Sequence, residues 1–271
     1  MANDNRLTAE NYYSAEMDRI FCSASQIKQF KQCEARTMAV LNGEWEDEKS
    51  DALIFGSLVD GLYENDGNLE EYAKDHPELF SSRGASKGQL LAKYQKAVEC
   101  YERTKRDELF SQFMSGEKQR IFTGEIEGMP FKAKLDSYHP GRCIVDLKTT
   151  KSITEPFYVP DTGHVSFVEK FDYFSQLAIY QELVYQNTGQ KLPCFIAAVS
   201  KEDTPDIEVI YIDDDKLKEA LQEVKQMIPS IRMLKSGEVE PVRCNCCAYC
   251  RSTKVLENPV HYSALLLDGT K

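Results

Sequence analysis

The residues with the most chemistry in them lie near the middle of the chain. Asp136 stands in the run FKAKLDSY, and ten residues later Asp146, Leu147 and Lys148 follow one another in RCIVDLKTT. If both runs are strands, Lys132, Lys134 and Asp136 share one face of the first, and Asp146 and Lys148 share one face of the second. Pairing across the His139-Pro140-Gly141 turn then brings Asp136, Asp146 and Lys148 together. Two carboxylates and an ammonium on one half-buried face cost desolvation free energy. A hard divalent cation such as Mg²⁺, which prefers carboxylate and water oxygens, offsets that cost. For Asp136 alone, ordinary cross-strand Lys–Asp pairing on a solvated face is the stronger reading. The run IVDLKTT resists that reading, because an Asp and a Lys interrupt an otherwise apolar strand.

A second constellation sits near the C-terminus. Cys244, Cys247 and Cys250 have C-x2-C-x2-C spacing, with Cys246 inserted. Two such steps in one short loop are a strong metal-site signal, and three thiolates call for a fourth ligand. A third constellation is basic. Residues 83–106 hold seven Lys and Arg, among them Lys87, Lys93 and Lys96, against two Glu, with Tyr94 and Tyr101 between them. Such a helix could track a phosphate backbone or could be an exposed helix dressed with ion pairs, and the two readings are about even.

These residues need elements to position them. Ser25 is read as the cap of a helix that carries Ile27, Phe30, Cys33, Thr37 and Val40 and ends near Gly43. A second helix fits 53–64 and a third, longer one about 86–113. RIFTGEIE, FKAKLDSY and RCIVDLKTT then read as an antiparallel meander. A Pro- and Gly-containing loop covers about 153–168, and a helix carrying FSQLAIYQELVYQ covers about 171–187. PCFIAAVS and IEVIYID are two more strands, and a last helix begins after the Asp213–Asp215 region. The class is therefore α/β. Cys22, Cys100, Cys143 and Cys194 sit in apolar contexts and read as core thiols.

Taken in order, Asp136, Asp146-Leu147-Lys148, and Gln176 with Tyr180 one helical turn further on the following helix resemble the PD-(D/E)xK nuclease core with the QxxxY motif of its RecB and RecE branches. The segment Ser25 to Cys33 and the run Gly56-Ser57-Leu58-Val59-Asp60 are similar to further segments of that branch, with Asp60 where the family usually has His. The resemblance covers residues 21–254. It implies a restriction-endonuclease-like core, a mixed β-sheet flanked by helices, with helical N-terminal additions and a Cys-rich C-terminal tail. The expected organisation is a flexible segment 1–20, one nuclease domain 21–254 and a tail 255–271. Within the domain fall a helical part 21–115, a catalytic core 120–213, and the last helix with the Cys cluster, 214–254.

The resemblance also implies roles. Asp136 and Asp146, with Asp60 and the backbone carbonyl of Leu147, would hold one or two Mg²⁺. Lys148, Gln176, Tyr180 and Glu125 would complete the catalytic group, and Lys132 and Lys134 would join Lys87, Lys93 and Lys96 on DNA. Cys33 would be the fourth ligand beside Cys244, Cys247 and Cys250, for zinc or an iron–sulfur cluster. The activity implied is Mg²⁺-dependent exonuclease action on linear duplex ends, RecE-like, in recombination or phage DNA metabolism. A homo-oligomer and a single-strand annealing protein are the partners implied. The alternatives are a catalytically inactive DNA-binding or scaffold protein that keeps the fold, and a zinc-binding interaction module.

Composition agrees with a globular enzyme. The chain has 271 residues, 42% hydrophobic and 28% charged, which excludes a collagen-like or disordered chain. A formal charge of −11 argues against a simple basic nucleic-acid coat protein. No apolar run reaches membrane-spanning length, and the polar, acidic start MANDNRLTAENYYSAEMDRI is unlike a secretory signal, so the expected address is the cytoplasm.

Overall fold

The structure is a computed structural model and describes residues 7–160, 162–256 and 258–263. The rest of the expected N-terminal segment and C-terminal tail, residues 1–6 and 264–271, lies outside the described residues.

The centre is a mixed four-stranded sheet in the order β3 (Ser137–His139), β4 (Cys143–Thr150), β7 (Cys194–Ser200) and β8 (Ile207–Ile212). β4 and β7 run parallel, and the outer pairs are antiparallel. The chain crosses from β4 to β7 through a short hairpin, β5 (Phe157–Val159) with β6 (Gly163–Val165), then α8 (Phe167–Lys170) and α9 (Tyr173–Thr188). The loop expected over 153–168 thus contains this hairpin, and Ser166 and Glu169 close a reciprocal cap at the start of α8.

Parallel central strands are covered on both faces and read as apolar runs. Alternation sorts β4 and β7 accordingly. Ile144, Ile196 and Ala198 face a core shared with α9, α10 (Asp214–Ser236) and α2 (Ala24–Gln32). Val145, Leu147, Ala197 and Val199 face a second core, shared with α4 (Asp51–Glu64) and α6 (Ala92–Lys105). By the same alternation Asp146 and Lys148 stand on the α9 side, where Asp146 lies opposite Ile196 and Lys148 opposite Ala198. The apolar strand that they interrupt is the sheet's interior.

The meander is divided. β1 (Arg120–Ile126) and β2 (Met129–Leu135) form their own antiparallel hairpin, and Asp136 is the residue between β2 and β3. Two expected helices are also divided. The first breaks at Cys33, whose extended backbone (φ −166°, ψ 107°) ends α2 and whose sulfur accepts the Arg36 N–H that starts α3 (Glu34–Asn42). Ser23, not Ser25, caps α2. The long helix over 86–113 becomes α6 and α7 (Glu108–Phe113), because Asp107 takes the Phe110 N–H as a cap instead of continuing the turn.

Residues 7–20, expected as part of a flexible segment, pack against the body. α1 (Ala15–Ile20) forms, and Tyr12 and Met17 are buried. At the other end, Val242 joins the start of α3. Its carbonyl accepts the Ala35 N–H at 3.1 Å, and its N–H donates to Glu34 at 2.9 Å. α11 (Ala248–Ser252) carries Cys250. Among the described residues no helix is long and apolar enough to cross a membrane.

Candidate active site and metal centre

A cavity of about 930 Å³ opens between α2, α4, the β2 end and α9. Asp136, Asp146, Lys148, Gln176, Tyr180 and Asp60 all line it. Asp146 is 1% exposed. Its Oδ1 accepts from Gln176 Nε2 at 2.8 Å. Its Oδ2 is buried and rests 2.5 Å from Lys148 Nζ in an ion pair. The neighbouring carboxylate Asp136 accepts the Leu147 N–H at 2.9 Å, which ties it to β4 across the strand break.

Gln176 and Tyr180 are adjacent turns of α9 and meet as their spacing predicts. Gln176 Nε2 also donates to Tyr180 Oη at 2.9 Å. Gln176 Oε1 accepts from Lys28 Nζ at 3.0 Å, and this fixes which end of the amide faces Asp146. Lys28 and Lys148 both lie against the Tyr173 ring, 4.6 and 5.0 Å from its centre.

The electrostatics are unbalanced. Burial, then the Asp146 carboxylate, pushes the Asp136 carboxyl up to about 7. Burial and repulsion from Asp136 and Asp146 hold Asp60 well above the usual carboxylate range. Burial alone would lower Lys148, but Asp146 and Asp136 outweigh it and keep the ammonium above its ordinary value. Burial and the Lys148 charge lower Lys28 to about 8. Two crowded carboxyls with raised pKa values, Asp60 and Asp136, beside the buried Asp146 carboxylate are the donor set that a hard dication suits.

Not every expected residue arrives here. Glu125 is exposed and lies opposite Pro130, at the turn end of the β1–β2 hairpin. That is six residues, about 20 Å, along the strand from Asp136. Its backbone bonds to Gln186, ten residues along α9 from Gln176. The same register carried one step further sets Gln119 opposite Asp136, and Gln119 does line the cavity. Lys132 lines the wall but is 1% exposed, with its ammonium on Asp18 at 2.7 Å and on the Tyr12 carbonyl, so it is a buried anchor and not a free cation for DNA. Lys134 reaches the cavity.

The basic strip does not reach it. Lys87 is exposed outside the cavity, Lys93 pairs with Asp51 at 2.6 Å, and Lys96 pairs with Glu99 at 2.8 Å. Tyr94 and Tyr101 are core residues, 3% and 6% exposed, because α6 buries its aromatic face against α4. Sequence reasoning missed Lys28, Lys49, Glu64 and His76, which line the cavity. Glu64 had a signal, since it stands one helical turn after Asp60.

The cysteines converge as their spacing suggests. The sulfurs of Cys33, Cys244, Cys247 and Cys250 all lie within 4.8 Å of one another. Cys33 is 3.5 Å from Cys250 and 3.9 Å from Cys247, and Cys244 is 3.9 Å from Cys250. Backbone N–H groups of Arg36, Cys247 and Cys250 donate to Cys33, Cys244 and Cys247. For Cys244, the N–H groups of Cys246 and Cys247 overcome burial and lower the thiol to about 6. Cys246 is exposed and outside the tetrad, while Cys22, Cys100 and Cys194 are core thiols and Cys143 is half-buried.

The description PDDEXK-like domain of unknown function (DUF3799) belongs to the family model that matches residues 23–253. A crystal structure of a "Putative exonuclease" from Eubacterium rectale is 46% identical, with the match covering 97% of this chain and 99% of that one at a TM-score of 0.91. The structure of SSO0001 overlaps 75% of this chain and 84% of its own at 12% identity and a TM-score of 0.28, too low to bear on the fold. No curated protein matches.

Proposed function

The chain belongs to the PDDEXK-like family, and on that premise we propose that it is a Mg²⁺-dependent deoxyribonuclease that works from the ends of linear DNA. The observation that carries the reading is Asp146: a buried carboxylate, oriented by Gln176 on one oxygen and ion-paired with Lys148 on the other, with the raised carboxyl of Asp136 beside it. Asp136, Asp146 and Asp60, with the Leu147 carbonyl, would hold one or two Mg²⁺. When bound, the ion supplies Lewis-acid polarisation of the scissile phosphate and lowers the pKa of an attacking water.

The protein's own residues do the rest. Lys148 sits where it can orient the water and offset charge that develops on the phosphate oxygens. Gln176 holds the Asp146 carboxylate in one rotamer, Tyr180 holds Gln176, and Lys28 keeps that amide from turning over. Lys134, Lys49 and Lys28 supply the cavity's positive charge for the strand.

The resemblance to the RecE branch extends the reading to recombination or phage DNA metabolism, a homo-oligomer and a single-strand annealing partner. The cysteine tetrad would hold a single zinc. Sulfurs that share one tetrahedral ion at about 2.3 Å stand about 3.8 Å apart; here three of the pairs are 3.5–3.9 Å apart and all lie within 4.8 Å. In a [4Fe–4S] cluster each cysteine takes a different iron, and in a [2Fe–2S] cluster they divide between two irons; either spreads the sulfurs wider than one ion does.

The test is digestion of end-labelled linear duplex beside covalently closed circular DNA, with and without Mg²⁺. Loss of linear DNA alone, and only with Mg²⁺, supports the reading. Intact linear DNA at all metal concentrations sinks it and favours a DNA-binding protein that keeps the fold, which Asp60 in the usual His position would suit.

A further inference from the structure

The cavity's rim carries an aromatic ring for which cleavage chemistry has no use. Tyr13 is 73% exposed, yet it lines the same cavity as Asp146. A tyrosine near a chain terminus is ordinarily loose, but this one is mounted. Tyr12 beside it is buried and meets the Tyr13 ring edge-on, with centroids 4.9 Å apart. Lys132 holds Tyr12 twice, through its carbonyl and through its ring at 4.6 Å. A buried ammonium costs several kcal/mol unless its partners compensate, and here the partners are Asp18 and the backbone that aims Tyr13. Lys134 lies 4.4 Å over the Tyr13 ring. With Lys134 over one side of the ring, the rest of the exposed ring and the ammonium together match the two parts of a nucleotide, a base and a phosphate.

We propose that Tyr13 is a stacking platform for an unpaired nucleobase, with Lys134 on the adjoining phosphate, so that the cavity takes one frayed strand of a DNA end. This rests on the nuclease reading and names its substrate form. A cavity of about 930 Å³ is in the size range of small-ligand sites, room for a few nucleotides of one strand and none for a duplex. Every base has a π-face, so such a platform accepts any sequence.

The experiment compares wild type, Tyr13→Phe and Tyr13→Ala as full chains with matched melting temperatures. Binding is measured without magnesium, using a thymidine oligomer that contains one 2-aminopurine, and using a blunt duplex of the same length. Wild type and Tyr13→Phe should quench 2-aminopurine fluorescence. Tyr13→Ala should lose the quench and bind the single strand about 5- to 150-fold more weakly, the effect of one base–aromatic stack, with duplex affinity unchanged. Single-strand affinity in Tyr13→Ala within twofold of wild type, or an equal loss for duplex, overturns the proposal. If wild type cleaves linear DNA and Tyr13→Ala is neutral, only the platform falls. If wild type neither binds nor cleaves DNA, the nuclease reading falls with it.

Discussion

At the cysteine tetrad four sulfurs close on one another, and backbone N–H groups support three of them. At the carboxylate cavity the proposed ligands, Asp60, Asp136 and Asp146 with the Leu147 carbonyl, crowd to one side, and the other side is open space lined by cations. The first arrangement fills a tetrahedral ion's coordination from protein alone. The second leaves positions for water and substrate. Completed coordination is the mark of a structural ion and open coordination that of a catalytic one. On the proposed reading the two sites divide the labour: one would close the chain, the other would do chemistry on what enters.

The sharpest way to break that comparison is at Asp146. Asp146→Asn should cut Mg²⁺-dependent cleavage about 1000-fold or more, since it removes a ligand charge worth several kcal/mol in the transition state. A rate within tenfold of wild type would mean that the open site is not the catalytic one. Lys148→Ala should lower the cleavage rate about 100- to 10,000-fold and leave DNA affinity in place, because the ammonium acts on the reacting water and phosphate. An equal loss of affinity, read by fluorescence anisotropy, would make Lys148 a phosphate anchor.

At the tetrad the effect should fall on stability. The span from Cys33 to Cys250 is 217 residues, and closing a loop of that length is worth up to about 5 kcal/mol in the chain-entropy model. Cys250→Ser should then lower the melting temperature by about 10 °C, while the folded fraction keeps its cleavage rate per molecule. Colourless protein with one zinc per chain would sharpen the contrast, and a brown, iron-containing protein would break it.

The smallest effect is in pH. Asp136 is raised to about 7 against about 4 in the unfolded chain, so between these values the folded form keeps a proton that the unfolded form has lost. Metal-free protein should therefore lose stability as pH rises from about 4 to 7 and level off above. Asp60, also held up by burial, adds a slope of the same sign, so melting curves of Asp136→Asn should show a shallower slope between about pH 4 and 7 than wild type.

How far the sequence foretold this differs between the sites for physical reasons. Asp146 and Lys148 were legible because polar residues inside an apolar strand are rare without purpose. Gln176 and Tyr180 were legible because one helical turn fixes their neighbourhood. The cysteines announced themselves by spacing. Glu125 came from the resemblance, and a matching residue type says nothing of distance along a strand; only the hairpin register, Glu125 opposite Pro130, decides it. Lys93 and Lys96 misled because charge on a helix says nothing of which anions the tertiary fold brings to it. Lys28 was within a noticed segment, but its role depends on α2 meeting α9, a contact between residues 148 apart. Tyr12 and Tyr13 look like part of a polar leader until Lys132 is seen beneath them.

The tetrad also sets a clock on synthesis. Cys33 emerges from the ribosome early and its partners last, with 217 residues between Cys33 and Cys250. At about 5–20 residues per second this is an interval of about 10–40 s. During it Cys33 has none of its partner thiols and the start of α3 lacks Val242, which joins it from far along the chain. The clasp is therefore completed after the cavity, and a nascent chain cut short before Cys244 carries the whole carboxylate cavity but none of the three partner thiols for Cys33.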